Sequence, residues 1–188
     1  NFTVNEIKFE NKNNNSFTNN AGSTITLLSN LKNSGNNNIF TNNGTINVGT
    51  NLENGSNTGD NFTVTNSGTM TVSSAVNPNN NTWTINNSGS FTHEGDYQGA
   101  SNLTINNLSG ATWYSKATDH SAATFNCDAD PNTFIFNGAS SQTIPGNSTT
   151  TYHNVIIANT ITDADAIVLN ADINVNSVLN IAMTNGGD

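Results

Sequence analysis

Apolar and polar residues alternate along this chain in short runs that break at regular corners. Phe62-Thr63-Val64-Thr65-Asn66-Ser67-Gly68-Thr69-Met70-Thr71-Val72 shows the unit: two alternating apolar positions, an Asn-Ser-Gly corner, then two more. It recurs as Trp83-Thr84-Ile85-Asn86-Asn87-Ser88-Gly89-Ser90-Phe91 and as Leu103-Thr104-Ile105-Asn106-Asn107-Leu108-Ser109-Gly110-Ala111-Thr112-Trp113. Period-two alternation marks β-strands, whose successive side chains point to opposite faces. The corner glycines Gly22, Gly44, Gly68, Gly89 and Gly110 follow one another at nearly even intervals. Strands repeating with a period of about 20 residues predict a solenoid of stacked β coils.

Three inward series follow when each corner glycine is taken as origin. Phe17, Phe40, Phe62/Val64, Trp83/Ile85 and Leu103/Ile105 precede it; Ile25/Leu27, Ile46/Val48, Met70/Val72, Phe91 and Trp113 follow it. Leu31, Leu52, Val76, Tyr97 and Ala117 form a third series further on. Three series predict an all-β, three-sided coil of about 21–24 residues with little or no helix. At the corners, Asn and Gly are expected to supply positive φ, and aligned Asn side chains to hydrogen-bond up the stack. Phe2–Phe9 reads as the same corner in compressed form. Residues 1–188 read as one solenoid segment of a longer chain, with regular coils over 1–118 and further coils over 151–188. Between them, 119–150 is an irregular coil or protruding loop, broken by Asp130-Pro131-Asn132 and Ile144-Pro145-Gly146.

Composition changes this picture in two respects. Asn supplies 41 of 188 residues, a bias seen in disordered tracts, but the regular spacing of the apolar positions argues for order. Charged residues are only 9%, the net charge is −9, and Lys8, Lys12, Lys32 and Lys116 are the only basic side chains besides histidine. Nucleic-acid binding requires clustered Lys and Arg, so it is excluded as a reading, as is electrostatic attachment to anionic membranes. No apolar run approaches the roughly 20 residues of a membrane-spanning helix. Cys127 is the single cysteine and fits a small inward position rather than a disulfide or zinc site.

Candidate chemistry is sparse. The carboxylate pairs Glu94/Asp96, Asp128/Asp130 and Asp163/Asp165 have the spacing to share a strand face, as acid–base chemistry on a glycoside would need. None recurs beside a basic group, so they read as solvated turns and the chain as a non-enzyme. Asp128-Ala129-Asp130-Pro131-Asn132 has the spacing that begins many calcium loops, but Thr133 and Ala139 stand where such a loop needs glycine and glutamate. Asp128, Asp130 and Asn132 are the calcium candidate, and no other cofactor is expected. His93, His120 and His153 lack ligand spacing and are expected on exposed loops or faces. Trp83 and Trp113 fall on inward series. Of the remaining aromatics, Tyr97, Tyr114 and Tyr152, Tyr114 is the best candidate for stacking on a sugar. Outward pairs such as Thr63/Thr65, Thr69/Thr71, Thr84/Asn86 and Thr104/Asn106 raise an ice-binding face as a further reading.

Thr133-Phe134-Ile135-Phe136-Asn137-Gly138-Ala139-Ser140-Ser141-Gln142-Thr143-Ile144-Pro145-Gly146, followed by Thr149–Ile157, Ile167-Val168-Leu169, Ile173-Asn174-Val175 and Leu179-Asn180-Ile181, resembles repeat segments of large secreted surface proteins of Bacteroidota. The close match spans residues 133 to 182. The resemblance implies a right-handed parallel β-helix, export by the type IX route and an extracellular, cell-surface location. It also implies an adhesin or attachment-filament role, with the chain as a rigid stalk. The partners implied are surface glycans, or like solenoid units stacked head to tail or laterally. A carbohydrate-active β-helix, lyase, hydrolase or glycan binder, is the alternative.

Overall fold

The computed structural model describes residues 1–10, 13–55, 60–98, 102–120, 123–145, 150–161 and 167–182. No helix occurs among them. The strands are, in order, β1 (Phe2–Val4), β2 (Ile7–Glu10), β3 (Ser16–Asn19), β4 (Thr24–Leu27), β5 (Leu31–Ser34), β6 (Asn38–Asn42) and β7 (Thr45–Val48). Then come β8 (Leu52–Asn54), β9 (Phe62–Asn66), β10 (Thr69–Val72), β11 (Val76–Asn77), β12 (Trp83–Asn87), β13 (Ser90–His93) and β14 (Leu103–Asn107). The last are β15 (Thr112–Ser115), β16 (Ala123–Asn126), β17 (Thr133–Phe136), β18 (Gln142–Ile144), β19 (Thr151–Ile157), β20 (Ile167–Leu169) and β21 (Asn174–Ile181).

Every strand pairs in parallel with its counterparts one coil away, so the chain is a β-solenoid. Sheet I runs β1-β4-β7-β10-β13-β15-β17-β19-β21, nine strands deep; sheet II runs β3-β6-β9-β12-β14-β16. Sheet III, β2-β5-β8-β11, is extended by a bridge from Val76 to Tyr97, and the pair β18-β20 is joined by a bridge from Thr143 to Asp119. The chain visits sheets I, III and II in turn, which gives the three sides expected. Along sheet I the successive partners are Phe2, Ile25, Ile46, Met70, Phe91, Trp113, Phe134, Val155 and Leu179. Their even spacing continues through the region expected to be irregular, since Phe134 and Val155 hold the register on either side of β18.

The core is the set of inward columns. Phe40, Val64, Ile85 and Ile105 stack in sheet II, and Leu31, Leu52 and Val76 in sheet III, all fully buried. Full burial of each such side chain stabilises by roughly 1.5–3 kcal/mol, but only because the coils above and below cover it. Aromatic rings stack in register: Phe91 lies over Trp113 at 4.1 Å, and Phe17 over Phe40 at 5.5 Å.

The corner from sheet II to sheet I carries an asparagine ladder. Asn19, Asn42, Asn66, Asn87 and Asn107 are all buried, and each Nδ2 donates to the Oδ1 of the next, at 2.7, 2.7, 2.8 and 2.9 Å. The same nitrogens donate to the backbone carbonyls of Thr45, Thr69, Ser90, Thr112 and Thr133, which open the following sheet I strands. The first four amides therefore tie their own coil to the next through both side chain and backbone, and Asn107 does so through the backbone of Thr133.

The glycines differ from expectation. Among the described glycines only Gly22 and Gly110 have positive φ, 77° and 79°, and a Cβ there would meet open space. Gly44, Gly68 and Gly89 are required by close approach instead: a Cβ on Gly68 would overlap the carbonyl oxygen of Gly44, and one on Gly89 that of Gly68. Asn5-Glu6 also departs from expectation. With β1 in sheet I and β2 in sheet III, that turn is a different corner of the coil.

Candidate functional site

The acidic groups lie at separate corners. Glu94 and Lys116 follow the ends of β13 and β15, at the turn from sheet I towards sheet III, and pair at 2.8 Å. Asp96 beside them accepts from the backbone N and Oγ1 of Thr118, each at 2.9 Å. Asp128 and Asp130 follow β16, at the turn from sheet II to sheet I. The two groups do not meet in a common groove. Asp163 and Asp165 lie outside the described residues.

The calcium candidate divides between surface and interior. Asp128 and Asp130 are exposed, and Asp130 Oδ1 lies 3.2 Å from His153 Nε2. Asn132 is buried, and its Nδ2 donates to the Asn107 carbonyl at 2.7 Å, so this amide serves the asparagine corner. Among the described residues no three His, Cys, Asp or Glu side chains gather as a ligand set. A cleft of about 240 Å³ opens beside the end of sheet II, lined by Phe125, Asn126, Cys127, Asp128 and Thr151. Burial, aided by the nearby Asp128 charge, pushes the Cys127 thiol well up, so it is protonated and poorly nucleophilic at neutral pH.

Two histidines overturn their expected exposure. His93 and His120 are completely buried. His93 continues the inward column of Val48 and Val72 on sheet I, two residues beyond Phe91. That alternation, carried past Phe91, is the signal that would have placed it. Burial, reinforced by His120, lowers its pKa to about 3 against weaker opposing pulls from Asp96 and the Ser74 backbone. Neither ring nitrogen closes a hydrogen bond of normal geometry. His120 is better satisfied: its ring nitrogens lie 2.7 Å from Ser115 Oγ and 2.8 Å from the Thr143 carbonyl. Burial lowers its pKa to about 4. Tyr97 packs between the two rings at 4.3 and 5.6 Å. Both imidazoles are neutral at pH 7 and belong to the core, together with the buried Trp83, Trp113 and Tyr152.

The lateral faces are accessible along the stack, and their chemistry is segregated. No Asp, Glu or Lys occurs in any strand of sheets I or II. Outward positions there are mainly Thr, Ser and Asn. Charged strand residues are confined to sheet III, where Lys8 pairs with Glu10 at 2.8 Å and Lys32 with Glu53 at 3.3 Å. Among the described residues no helix is long and apolar enough to cross a membrane. Comparison with known protein families, with curated proteins and with solved structures finds no match.

Proposed function

We propose that the chain is a non-enzymatic rod, a stalk or filament module of an extracellular surface adhesin. The observation that carries this reading is the parallel stack of nine strands in sheet I, in unshifted register from β1 to β19 with one bulge between β19 and β21, locked at one corner by five successive asparagines. Such a stack resists bending, because successive coils are hydrogen-bonded strand to strand along sheet I and, from β3 to β16, along sheet II as well. Eight steps of about 4.8 Å give a rod of about 40 Å. The resemblance of residues 133–182 to secreted Bacteroidota repeats supports a place outside the cell. Like units or surface glycans would be its partners. Solution scattering tests the shape, and a fusion between a surface anchor and a reporter tests the spacing role. An elongated rigid particle, and a reporter held further from the cell in proportion to coil number, are the expected results. A flexible chain, or cleavage of any member of a polysaccharide panel by the purified protein, would overturn the reading.

A further inference from the structure

We propose that the outer face of sheet I binds ice. The face is a two-column array. Thr24, Thr45, Thr69, Ser90, Thr112 and Thr133 are direct partners on successive strands, a hydroxyl column six coils deep. Beside it run Thr26, Asn47, Thr71 and Thr92. Rows lie about 4.8 Å apart and the two members of a row about 6.7 Å apart, dimensions comparable to the oxygen repeats on the faces of hexagonal ice.

Three features favour an ordered water lattice as the occupant. First, the array is pre-positioned. The carbonyls of Thr45, Thr69, Ser90, Thr112 and Thr133 are the ones held by the buried asparagine amides, so the ladder fixes the spacing of the column above it. A fixed array loses little freedom on binding. Second, these hydroxyls enter no hydrogen bond among the described residues, and each can both donate and accept. Third, the face carries no charge to impose its own hydration, and the four rows from β4 to β13 carry no aromatic ring on which a sugar could stack. Tyr114 lies one row beyond, beside Thr112.

Sheet II fits less well. Ile39 interrupts its column at 43% exposure, and its amides are already paired, Asn106 Nδ2 to Asn86 Oδ1 and Asn126 Nδ2 to Asn106 Oδ1, each at 2.7 Å.

Thermal hysteresis and inhibition of ice recrystallisation test the proposal on the full chain, with Thr69→Tyr and Thr71→Tyr on the face and Thr84→Tyr on sheet II as control. Tyr suits an exposed strand, and circular dichroism melts identify any variant that fails to fold. Thr45→Tyr, one row away, supplies a second reading in that case. Native protein and Thr84→Tyr are expected to show both activities, and folded face variants to lose them. No activity in the native protein, or full activity in folded face variants, overturns the proposal. So does binding to crystalline cellulose or chitin without any effect on ice, which would assign the face to a carbohydrate lattice. The rod reading is measured separately by shape and survives either outcome.

Discussion

Removing one rung from the middle of the asparagine ladder is the sharpest test of what holds the coils together. Asn66 accepts from Asn42 Nδ2 at 2.7 Å and donates to Asn87 Oδ1 at 2.8 Å and to the Ser90 carbonyl at 2.9 Å. Asn66→Ala breaks all three and leaves the partners under-satisfied in a buried setting. At about 1–2 kcal/mol for each orphaned group the expected loss is about 4 kcal/mol. Asn107→Ala breaks two bonds, one accepted from Asn87 at 2.9 Å and one donated to Thr133 at 3.2 Å, and should cost about 2 kcal/mol. Urea titration followed by far-ultraviolet circular dichroism measures both. The double variant Asn66→Ala/Asn87→Ala should fall short of additivity by about 1 kcal/mol, since the two share one bond. If Asn66→Ala costs under about 1 kcal/mol, or no more than an exposed change such as Thr63→Ala, the ladder sets register without stabilising, and the reasoning fails.

Three other outcomes are expected. Acid should loosen the core: the folded pKa values of His93 and His120, about 3 and about 4, lie below the unfolded 6.5. Their contribution is complete above pH 6.5 and is lost as pH falls towards the folded values. Between pH 6.5 and 5 the loss is about 3 kcal/mol for the pair; His93→Phe should roughly halve that slope in urea melts, and an unchanged slope would refute the assignment. Gly68→Ala, which drives a Cβ into the Gly44 carbonyl, should cost about 3 kcal/mol, more than the roughly 1–2 kcal/mol of Gly110→Ala; equal melting shifts would contradict the distinction between close approach and positive φ. Trypsin should cut the native chain slowly at Lys8, Lys32 and Lys116, all ion-paired to Glu; rapid native cleavage at Lys32 would show that sheet III opens.

The fold was legible because one coil cannot bury its apolar residues alone. The columns that stack had to repeat, and Leu31, Leu52, Val76 and Tyr97 repeat as the third series does. The side chains hidden from the sequence were those whose type contradicts their column. His93 stands where Val48 and Val72 stand, and a polar residue at an apolar position does not announce burial. The lateral faces were half visible. Thr69/Thr71 is plain as a pair, but its alignment with Thr45 and Ser90 is not. The step from Thr45 to Thr69 is longer than the step from Thr69 to Ser90, and only the strand register resolves coils of unequal length.

Corner width explains why one residue type, glycine, answers two different needs. Between ladder asparagine and the next sheet I strand, the central coils insert two residues: Asn43-Gly44, Ser67-Gly68 and Ser88-Gly89. Those corners stack so closely that a side chain would strike the backbone below. Four residues intervene at the first rung, Asn20 to Ser23, and at the last, Leu108 to Ala111. There the turn has room and needs positive φ, supplied by Gly22 and Gly110. One coil later Cys127 follows Asn126, the partner of Asn106, so it stands where a sixth asparagine would continue the ladder. A thiol cannot relay an amide bond, and Asn132 turns inward to bond the Asn107 carbonyl instead. The ladder therefore ends at Asn107, and in the next coil the same corner is held by the Asn132 amide on the Asn107 carbonyl.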